Sequence, residues 1–321
     1  MNQNLLSLKD VSVIFHLRAG KLKAVDGVNL SLNKGETIGI VGESGSGKSV
    51  MAKTINRLNP VPPAVTTGQV ILDGHEVFDL SMREMRQVRG TKVSMIFQEP
   101  MTSLNPVFTI GQQMSASMRT HLGMKGRAAD DRAADYLDQV GISSPRERLK
   151  HYPHELSGGM RQRVMIAMAL SCEPMLLIAD EPTTALDVTI QDQILELLAT
   201  TIKDQGMSMM LITHDLYVVA DTCQNIVVMY AGRQMEIGPT SEVFNNPLHP
   251  YTIGLKESQP AIGANQSEFL KPIQGTVPNM LDVPPGCAFH PRCEHAVDNC
   301  QQEVPKLTPR GENRSIACHV M

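Results

Sequence analysis

Residues 42–49 read Gly42-Glu43-Ser44-Gly45-Ser46-Gly47-Lys48-Ser49, which matches the phosphate-loop pattern G-x-x-x-x-G-K-S/T. The apolar, β-branched run of residues 37–41 before it favours a buried strand, and residues 50–55 after it favour a helix. The glycines let consecutive backbone N–H groups turn toward a phosphate chain, and the helix N-terminus adds its positive dipole end. A chance Gly- and Ser-rich turn would not need this strand and helix, so the stretch predicts a nucleotide site.

Individual residues of this phosphate loop have separate predicted roles. Lys48 is expected to reach the β- and γ-phosphates of the nucleotide, and the Ser49 hydroxyl is expected to be a ligand of Mg²⁺. The backbone of the other loop residues, Gly42, Glu43, Ser44, Gly45, Ser46 and Gly47, is expected to surround the phosphates.

Length and composition restrict the class of protein. The chain has 321 residues, of which 42% are hydrophobic and 19% charged, and its net charge is −4. These values fit one large α/β domain with an appendage, or two modest domains, and exclude a disordered chain or a basic nucleic-acid-binding protein. No run approaches the roughly 18 apolar residues that span a bilayer, and the first residues lack the pattern of a secretory signal. We therefore expect a cytoplasmic protein whose membrane role is peripheral.

Hydrophobic periodicity predicts an α/β fold with additions. Short runs in residues 5–32 predict antiparallel strands, and the polar-rich pattern of residues 110–140 predicts a helical insertion. Apolar runs at residues 176–179 and 209–213, with a helical pattern at residues 191–203 between them, predict a parallel sheet. Further predicted strands cover residues 68–75, 93–97, 226–230 and 233–237, of which the last two form a hairpin.

The predicted fold class is α/β, with a phosphate-loop NTPase core in which helices flank a parallel sheet. To this core the pattern adds an antiparallel β subdomain, a helical subdomain at about residues 105–170 and a cysteine-containing C-terminal extension. Prolines accumulate after Phe244, which indicates a loop-rich segment. We therefore expect an ATPase domain at residues 1–245 and a proline-rich extension at residues 246–321.

Two carboxylates follow the apolar run at residues 176–179. Asp180 and Glu181 thus lie at the carboxyl end of a predicted buried strand, where open α/β sheets place their ligand sites. Asp180 suits the Mg²⁺ side of the site, and Glu181 suits a base that polarises an attacking water. Acidic residues at strand ends are also common as helix caps, but the phosphate loop upstream favours the metal-site interpretation.

A second glycine-containing helix start lies at residues 156–163, which read Leu-Ser-Gly-Gly-Met-Arg-Gln-Arg. On physical grounds it is a second anion site or a capped helix start with Ser157 as the N-cap. Leu-Ser-Gly-Gly followed by Gln162, between a phosphate loop and an Asp-Glu strand end, resembles the signature of ATP-binding-cassette (ABC) ATPases. The family's other marks are present as Gln98 of the Q-loop, Ala185-Leu186-Asp187 of the D-loop, the switch histidine His214 and the adenine-stacking aromatic Phe15.

This resemblance, which covers about residues 5–245, implies that two cassettes share each ATP. Cassettes of the family pair head to tail, so that the signature of one touches ATP held by the phosphate loop of the other. The implied contacts to the partner's ATP are Ser157, Gly158, Gly159, Gln162 and Asp187. Gln98 is implied to contact Mg²⁺ and the attacking water, and His214 to hydrogen-bond the γ-phosphate. Because Glu181, His214 and the signature are intact, the resemblance implies an active cassette.

Longer stretches resemble one subfamily, the oligopeptide/dipeptide importers. Residues 97–106, 179–189 and 249–252 carry this resemblance. It implies an ATP-hydrolysing subunit at the cytoplasmic face of the bacterial inner membrane, working with a second related ATPase, two membrane permeases and an extracytoplasmic binding protein. An importer of nickel, a metallophore, glutathione or another small solute is one alternative. A non-transport ABC ATPase that remodels a soluble complex is another.

The C-terminal extension contains Cys287, Cys293, Cys300 and Cys318 with the spacing C-x5-C-x6-C-x17-C. This spacing lacks the C-x2-C knuckles of common zinc sites, so chemistry alone leaves open a metal ion, a cluster or reduced surface thiols. The subfamily resemblance implies a 4Fe–4S cluster, and the nearby His290, His295 and His319 keep zinc as an alternative. Cys172 and Cys223, in the predicted core domain, are expected to be buried thiols.

Overall fold

The computed structural model describes residues 4–99, 103–184, 186–259 and 271–321. Residues 100–102 of the Q-loop stretch and Ala185 of the D-loop lie outside the described residues. The strands are β1 (Asn4–Leu17), β2 (Gly20–Asn33), β3 (Thr37–Val41), β4 (Ala64–Leu72), β5 (His75–Glu76), β6 (Val93–Ile96), β7 (Leu176–Asp180), β8 (Ser208–Thr213), β9 (Asn225–Tyr230), β10 (Arg233–Pro239), β11 (Thr308–Pro309) and β12 (Ser315–Ile316). The helices are α1 (Lys48–Ile55), α2 (Met82–Thr91), α3 (Ile110–Leu122), α4 (Arg127–Gln139), α5 (Pro145–Arg148), α6 (Gly158–Leu170), α7 (Val188–Gln205), α8 (Leu216–Thr222), α9 (Thr240–Asn245), α10 (Pro250–Glu257) and α11 (Asp298–Gln302).

The described residues fall into two compact units, of which the first covers Asn33–Glu36 and the described part of Asp79–Met210. Its strands have the order β8-β7-β6, and β8 continues past Met210 into the second unit. Strands β6 and β7 run parallel, with Val93 paired to Leu176. Every residue of β7 is buried, as expected for an apolar run in the interior of a sheet. The two apolar runs that were predicted to share a parallel sheet are β7 and β8, which are neighbours in this order, and the adjoining pair of β6 and β7 is parallel.

The predicted helical insertion is also confirmed in the first unit, where α3, α4 and α6 pack against one another. Helix α3 begins at a capping box. The Thr109 side chain accepts from the Gln112 backbone N–H, and the Gln112 side chain accepts from the Thr109 backbone N–H. It ends at Gly123, whose φ of +68° is the left-handed conformation that glycine adopts without strain. Helix α4 buries one face through Ala133 and Leu137.

The second unit covers the described parts of residues 2–32, 37–78 and 211–321. One of its sheets has the order β2-β1-β4-β5, with β1 and β4 antiparallel, which confirms the predicted antiparallel region. The strands of its other sheet have the order β11-β12-β10-β9-β3. In this sheet β3 and β9 are parallel, and β9 and β10 form the predicted hairpin. Its central strands form the core of the unit, with Ile40 and residues 226–230 fully buried.

A buried ion pair fastens the end of the chain to this second sheet. Glu236 of β10 is completely buried and pairs with Arg314, which precedes β12. The Glu236 carboxylate also accepts from the backbone N–H groups of Leu248 and His249, each at 3.0 Å. A buried carboxylate is tolerated only when it is paired and hydrogen-bonded in this way. Glu236 thereby ties β12 and the start of α10 to β10.

Two observations within the described ranges concern apolar character. None of the helices there combines the length and the apolar character that a membrane crossing requires. Cys172 and Cys223 are buried at 5% and 7% exposure, and burial raises the pKa of Cys223 to about 12. The Cys223 thiol therefore stays protonated, and both side chains pack as small apolar groups.

Candidate nucleotide-binding site

The phosphate loop connects β3 to α1 in the second unit, as predicted, and its backbone packs directly on two other backbone segments. A Cβ atom added at Gly47 would lie 2.2 Å from the Ala24 carbonyl oxygen, and one added at Gly42 would lie 2.1 Å from the Met229 carbonyl oxygen. Gly47 also has a φ of +95°, which a side chain would strain. Both positions therefore require glycine because the loop lies against neighbouring carbonyl groups.

Lys48 is the first residue of α1 and is held inside the loop. Its side chain is buried at 4% exposure, and Nζ donates to the carbonyl oxygens of Gly42 at 2.7 Å and Glu43 at 2.9 Å. The Ser46 hydroxyl oxygen lies 3.4 Å from the same nitrogen. These contacts compensate a charge that burial would otherwise destabilise. Ser49 follows in the first turn of α1 and is half-buried.

Phe15 and His214, two other predicted nucleotide contacts, also belong to the second unit. Phe15 is half-buried near the end of β1, opposite Ala64 of β4. His214 is exposed directly after β8, and its carbonyl oxygen accepts from the Gln259 side-chain amide at 2.6 Å. The next residue, Asp215, caps α8. Both predicted contacts thus lie at strand ends, where side chains reach solvent.

The first unit brings together two predicted catalytic residues, Gln98 and Glu181. The Gln98 amide nitrogen donates to Oε2 of Glu181 at 2.9 Å, and the Thr184 hydroxyl donates to the same oxygen at 2.8 Å. Glu181 has a φ of +46°, an uncommon and strained value for a residue with a side chain. Asp180, at the end of β7, is buried at 2% exposure. Two hydrogen bonds on one oxygen fix the direction of the Glu181 carboxylate.

The signature residues form the start of α6, also in the first unit. Ser157 is its N-cap, and the Ser157 hydroxyl accepts from the Met160 backbone N–H at 3.3 Å, which confirms the predicted cap. Gly158 faces open space, whereas a Cβ on Gly159 would lie 3.3 Å from the Ile190 side chain. Gln162 is buried at 2% exposure, and its amide donates to the carbonyl oxygen of Pro182.

Asp187 of the D-loop caps the neighbouring helix. Its carboxylate accepts from the Ile190 backbone N–H at 3.0 Å at the start of α7. Asp187 itself is exposed. The signature and the D-loop therefore place two capped helix starts, α6 and α7, side by side at Gly159 and Ile190. Such starts present backbone N–H groups and the positive end of the helix dipole to anions.

The four cysteines of the extension lie close enough to interact electrostatically with one another. Cys287 and Cys300 are buried, and Cys293 and Cys318 are half-buried. The Val320 backbone N–H donates to the Cys318 sulfur at 3.4 Å. Burial raises the pKa of Cys287 to about 11 and also raises the pKa of Cys293, so both are thiols near neutral pH.

This arrangement does not fit a preformed metal site. Across the ranges that the structure describes, no three His, Cys, Asp or Glu side chains are placed to hold a metal ion. His319 is engaged elsewhere, with Nδ1 3.1 Å from the Asn299 amide nitrogen and Nε2 2.8 Å from the Glu303 carbonyl oxygen. His290 Nδ1 lies 2.9 Å from the Cys287 carbonyl oxygen. The predicted 4Fe–4S cluster and its zinc alternative are therefore not supported by the side-chain positions.

Sequence reasoning missed two side chains that contact the phosphate loop. The Tyr251 hydroxyl accepts from the Glu43 backbone N–H at 2.8 Å, and the Arg292 guanidinium forms an ion pair with the Glu43 carboxylate at 2.7 Å. These partners are 208 and 249 residues from Glu43 along the chain. No local pattern indicates such contacts, because Tyr251 and Arg292 lie within motifs that were interpreted for other features.

Comparison with known proteins matches both parts of the chain. The family described as "ABC transporter" matches residues 25–184, and the family described as "Oligopeptide/dipeptide transporter, C-terminal region" matches residues 235–300. A putative peptide import ATP-binding protein of Brucella ovis is 49% identical over 98% of this chain and 97% of that protein. The dipeptide transport ATP-binding protein DppD of Bacillus subtilis is 47% identical over 98% of this chain and 94% of that protein. Residues 97–106, 179–189 and 249–252 also resemble the dipeptide-permease D subunit, and this relative confirms that resemblance.

A solved structure gives the same result for the fold. The dimeric post-hydrolysis state of the ATP-binding cassette MJ0796, bound to ADP and Pi, has a TM-score of 0.66 and 30% sequence identity. The match covers 74% of this chain and 99% of that one. The predicted phosphate-loop NTPase fold is therefore confirmed.

The packing of the loop predicts a difference between two glycine substitutions. Gly45 has a φ of +80°, but a Cβ there meets nothing within 4 Å, so Gly45→Ala should cost about 1 kcal/mol of unfolding free energy from backbone strain alone. Gly47→Ala adds a clash with a backbone oxygen and should cost about 3 kcal/mol or more. Urea denaturation of the two full-length variants makes the comparison. Equal losses would show that the contact with Ala24 does not restrict the loop.

Proposed function

The chain belongs to the ABC transporter family, and from this premise we propose that it is the ATP-hydrolysing subunit of an importer for dipeptides or oligopeptides. The observation that carries the proposal is the formed phosphate loop, with Lys48 buried within it, in a chain whose C-terminal region matches the oligopeptide/dipeptide transporter family. Backbone N–H groups of the loop and the N-terminus of α1 bind the phosphates of ATP. Lys48 then exchanges loop carbonyls for the β- and γ-phosphate oxygens.

The remaining nucleotide contacts follow the family pattern. Phe15 stacks on adenine, and His214 hydrogen-bonds the γ-phosphate. Ser49, Gln98 and Asp180 offer a hydroxyl, an amide oxygen and a carboxylate, which are the oxygen ligands that Mg²⁺ prefers. When bound, Mg²⁺ neutralises part of the phosphate charge.

Hydrolysis is assigned to Glu181, which accepts a proton from the attacking water. The water oxygen bonds to the γ-phosphorus as the bond to the bridging oxygen breaks, giving ADP and inorganic phosphate. The hydrogen bonds from Gln98 and Thr184 support this role because they hold the carboxylate in one direction. Since Gln98 touches the base directly, a shift of the Q-loop would change the position of Glu181.

In this proposal a second cassette completes the ATP site. The similar cassette MJ0796 is dimeric in its ADP- and Pi-bound state, which supports head-to-tail pairing. The contacts offered to the partner's ATP are the capped starts of α6 and α7, through Ser157, Gly158, Gly159, Gln162 and Asp187. We propose that the partner is a second, related ATPase, so that the pair is a heterodimer.

The proposed complex contains two membrane permeases and an extracytoplasmic binding protein, and the chain lies on the cytoplasmic face of the bacterial inner membrane. The names of its relatives, peptide import and dipeptide transport ATP-binding proteins, support peptide as the substrate.

We divide the chain into an ATPase domain at residues 1–245, with a helical subdomain at about residues 105–170, and an extension at residues 246–321.

For the cysteine segment we propose that Cys287, Cys293, Cys300 and Cys318 hold a 4Fe–4S cluster after the four sulfurs draw together. Their mutual proximity supports this, as do backbone N–H groups that point at three of the sulfurs. Phe289 donates to Cys287, His295 to Cys293 and Val320 to Cys318. Such hydrogen bonds oppose the effect of burial, which raises the pKa of Cys287 and Cys293, and so act in favour of the thiolates that bind iron–sulfur clusters.

Glu181→Gln should abolish turnover while leaving ATP bound. The amide retains the shape of the carboxylate but cannot accept the proton, so we expect ATP hydrolysis by the assembled transporter to fall by about 100-fold or more. The variant should also accumulate an ATP-stabilised cassette pair, detected by size-exclusion chromatography. Glu196→Gln, an exposed carboxylate on α7, is the matched control and should behave as wild type. Undiminished turnover in Glu181→Gln would remove Glu181 from the reaction.

Chain purified without oxygen should be brown and contain about four iron and four sulfide per polypeptide if the cluster forms. Cys287→Ser or Cys300→Ser should lower both contents together, because each removes a buried ligand, whereas Cys172→Ser should leave them unchanged. Elemental analysis and the absorbance near 400 nm provide the measurement. Zinc without iron or sulfide, or no metal at all, would exclude the cluster.

A further inference from the structure

The C-terminal extension contacts the phosphate loop through Arg292. Its Nη1 lies 2.7 Å from Oε2 of Glu43 and its Nη2 lies 3.1 Å from Oε1, which makes a bidentate ion pair. The side chains of Arg292 and Glu43 are 5% and 24% exposed, respectively. The pair is therefore largely shielded from solvent and has the paired geometry that arginine forms with carboxylates.

All five N–H donors of the Arg292 guanidinium have acceptors. In addition to the two bonds with Glu43, Nε donates to the Gln274 carbonyl oxygen at 2.9 Å and Nη2 to the Ile273 carbonyl oxygen at 3.4 Å. The fifth acceptor is the Tyr230 hydroxyl, 3.3 Å from Nη1. A lysine has three donors in a different geometry and could not reproduce this set. The site is thus built for an arginine.

Two aromatic rings complete the surroundings of the guanidinium. Its central carbon lies 5.9 Å from the ring centres of both Tyr230 and Phe289. Burial disfavours the charged form, but the hydrogen bonds and charges of Glu43 and Tyr230 outweigh burial and raise the pKa of Arg292. Arg292 is therefore a permanent cation held next to the phosphate loop.

Glu43 lies in the loop itself, directly after Gly42. Its carbonyl oxygen accepts from Lys48 Nζ at 2.9 Å, and its backbone N–H donates to the Tyr251 hydroxyl at 2.8 Å. The carbonyl and the N–H of Glu43 therefore both form hydrogen bonds. The remaining polar group of this residue is the carboxylate, which carries the negative charge. Without Arg292, that carboxylate would add an uncompensated negative charge beside a polyanionic ligand.

We propose that Arg292 is a positioning residue for ATP binding, which neutralises Glu43 and holds its side chain so that the loop can accept a triphosphate. This inference rests on the proposed function of the loop as an ATP site. It gives the C-terminal extension a direct part in that site, because Arg292 immediately precedes Cys293 and belongs to the 3-10 turn His290–Arg292.

The test is equilibrium binding of ATP and ADP to the full-length chain. Arg292→Gln should weaken ATP binding about tenfold, because the Glu43 carboxylate is left unpaired, and should weaken ADP binding less. The double variant Glu43→Gln with Arg292→Gln should bind ATP within about threefold of wild type, since neither charge remains. Lys306→Ala, which removes an exposed cation of the same extension, is the control and should bind normally.

A purely structural role gives a different pattern. In that case Arg292→Gln would lower the unfolding free energy and leave the ATP affinity unchanged. Alternatively, the double variant would bind ATP as poorly as Arg292→Gln alone. Either result overturns the proposal. Should Arg292→Gln fail to fold, Glu43→Gln carries the test, because an uncompensated Arg292 should make ATP binding more sensitive to salt than in wild type. An unchanged salt dependence would then overturn it.

Lys48→Ala separates this inference from the proposed function. If Lys48→Ala binds ATP as tightly as wild type, the loop is not the ATP site and the proposed function fails at its first step. If Lys48→Ala loses ATP binding while Arg292→Gln retains it, the loop assignment stands and the inference about Arg292 is wrong.

Discussion

The backbone of the phosphate loop lies against the carbonyl groups of Ala24 and Met229, and this close packing sets the position of every functional group on the loop. It excludes a Cβ at Gly42 and Gly47, whose added atoms would lie 2.1 Å and 2.2 Å from those oxygens. Because the backbone is fixed, the Lys48 side chain extends from the first turn of α1 toward the carbonyl oxygens of Gly42 and Glu43 rather than into solvent. The loop is therefore an anion site formed by backbone packing, and its side chains adjust the charge of that site.

Two shielded charges in the second unit, those of Glu236 and Arg292, are each compensated by more than one partner. Glu236 has Arg314 and two backbone N–H groups, and Arg292 has acceptors for all of its donors. Removing one member of such a network leaves the others buried and unpaired, which costs more than the net contribution of the pair. The polar contacts that hold the extension thus include those of Glu236 on β10 and of Glu43 on the phosphate loop. This arrangement explains how a loop-rich, proline-rich segment keeps a defined position with few regular elements of its own.

Local signals in the sequence predicted most of the fold and the positions of several candidate site residues on strands, loops and helix starts. The strand, loop and helix around Lys48, the hairpin of β9 and β10, and the Ser157 cap each depend on neighbouring residues, so periodicity and cap chemistry were sufficient. The contacts of Glu181 with Gln98 and of Glu43 with Arg292 join residues 83 and 249 positions apart, and no spacing rule indicates them. The asymmetry is physical. Whether a side chain caps a helix or lies in a strand depends on adjacent residues, whereas its ion-pair partner depends on which distant residues the tertiary fold brings close. The four cysteines show the converse, because the subfamily resemblance implied a ligand set while their side chains do not form a metal-binding group.

The central claim is that this chain converts ATP hydrolysis into peptide import. Uptake of a radiolabelled dipeptide by proteoliposomes tests it most directly, with the chain reconstituted together with its permeases, the second ATPase and the binding protein. The account predicts accumulation that requires both ATP on the cassette side and the binding protein, and that is lost when the chain carries Glu181→Gln. Dipeptide accumulation without ATP, or ATP-driven accumulation of a non-peptide solute with no uptake of dipeptides or oligopeptides, would contradict it.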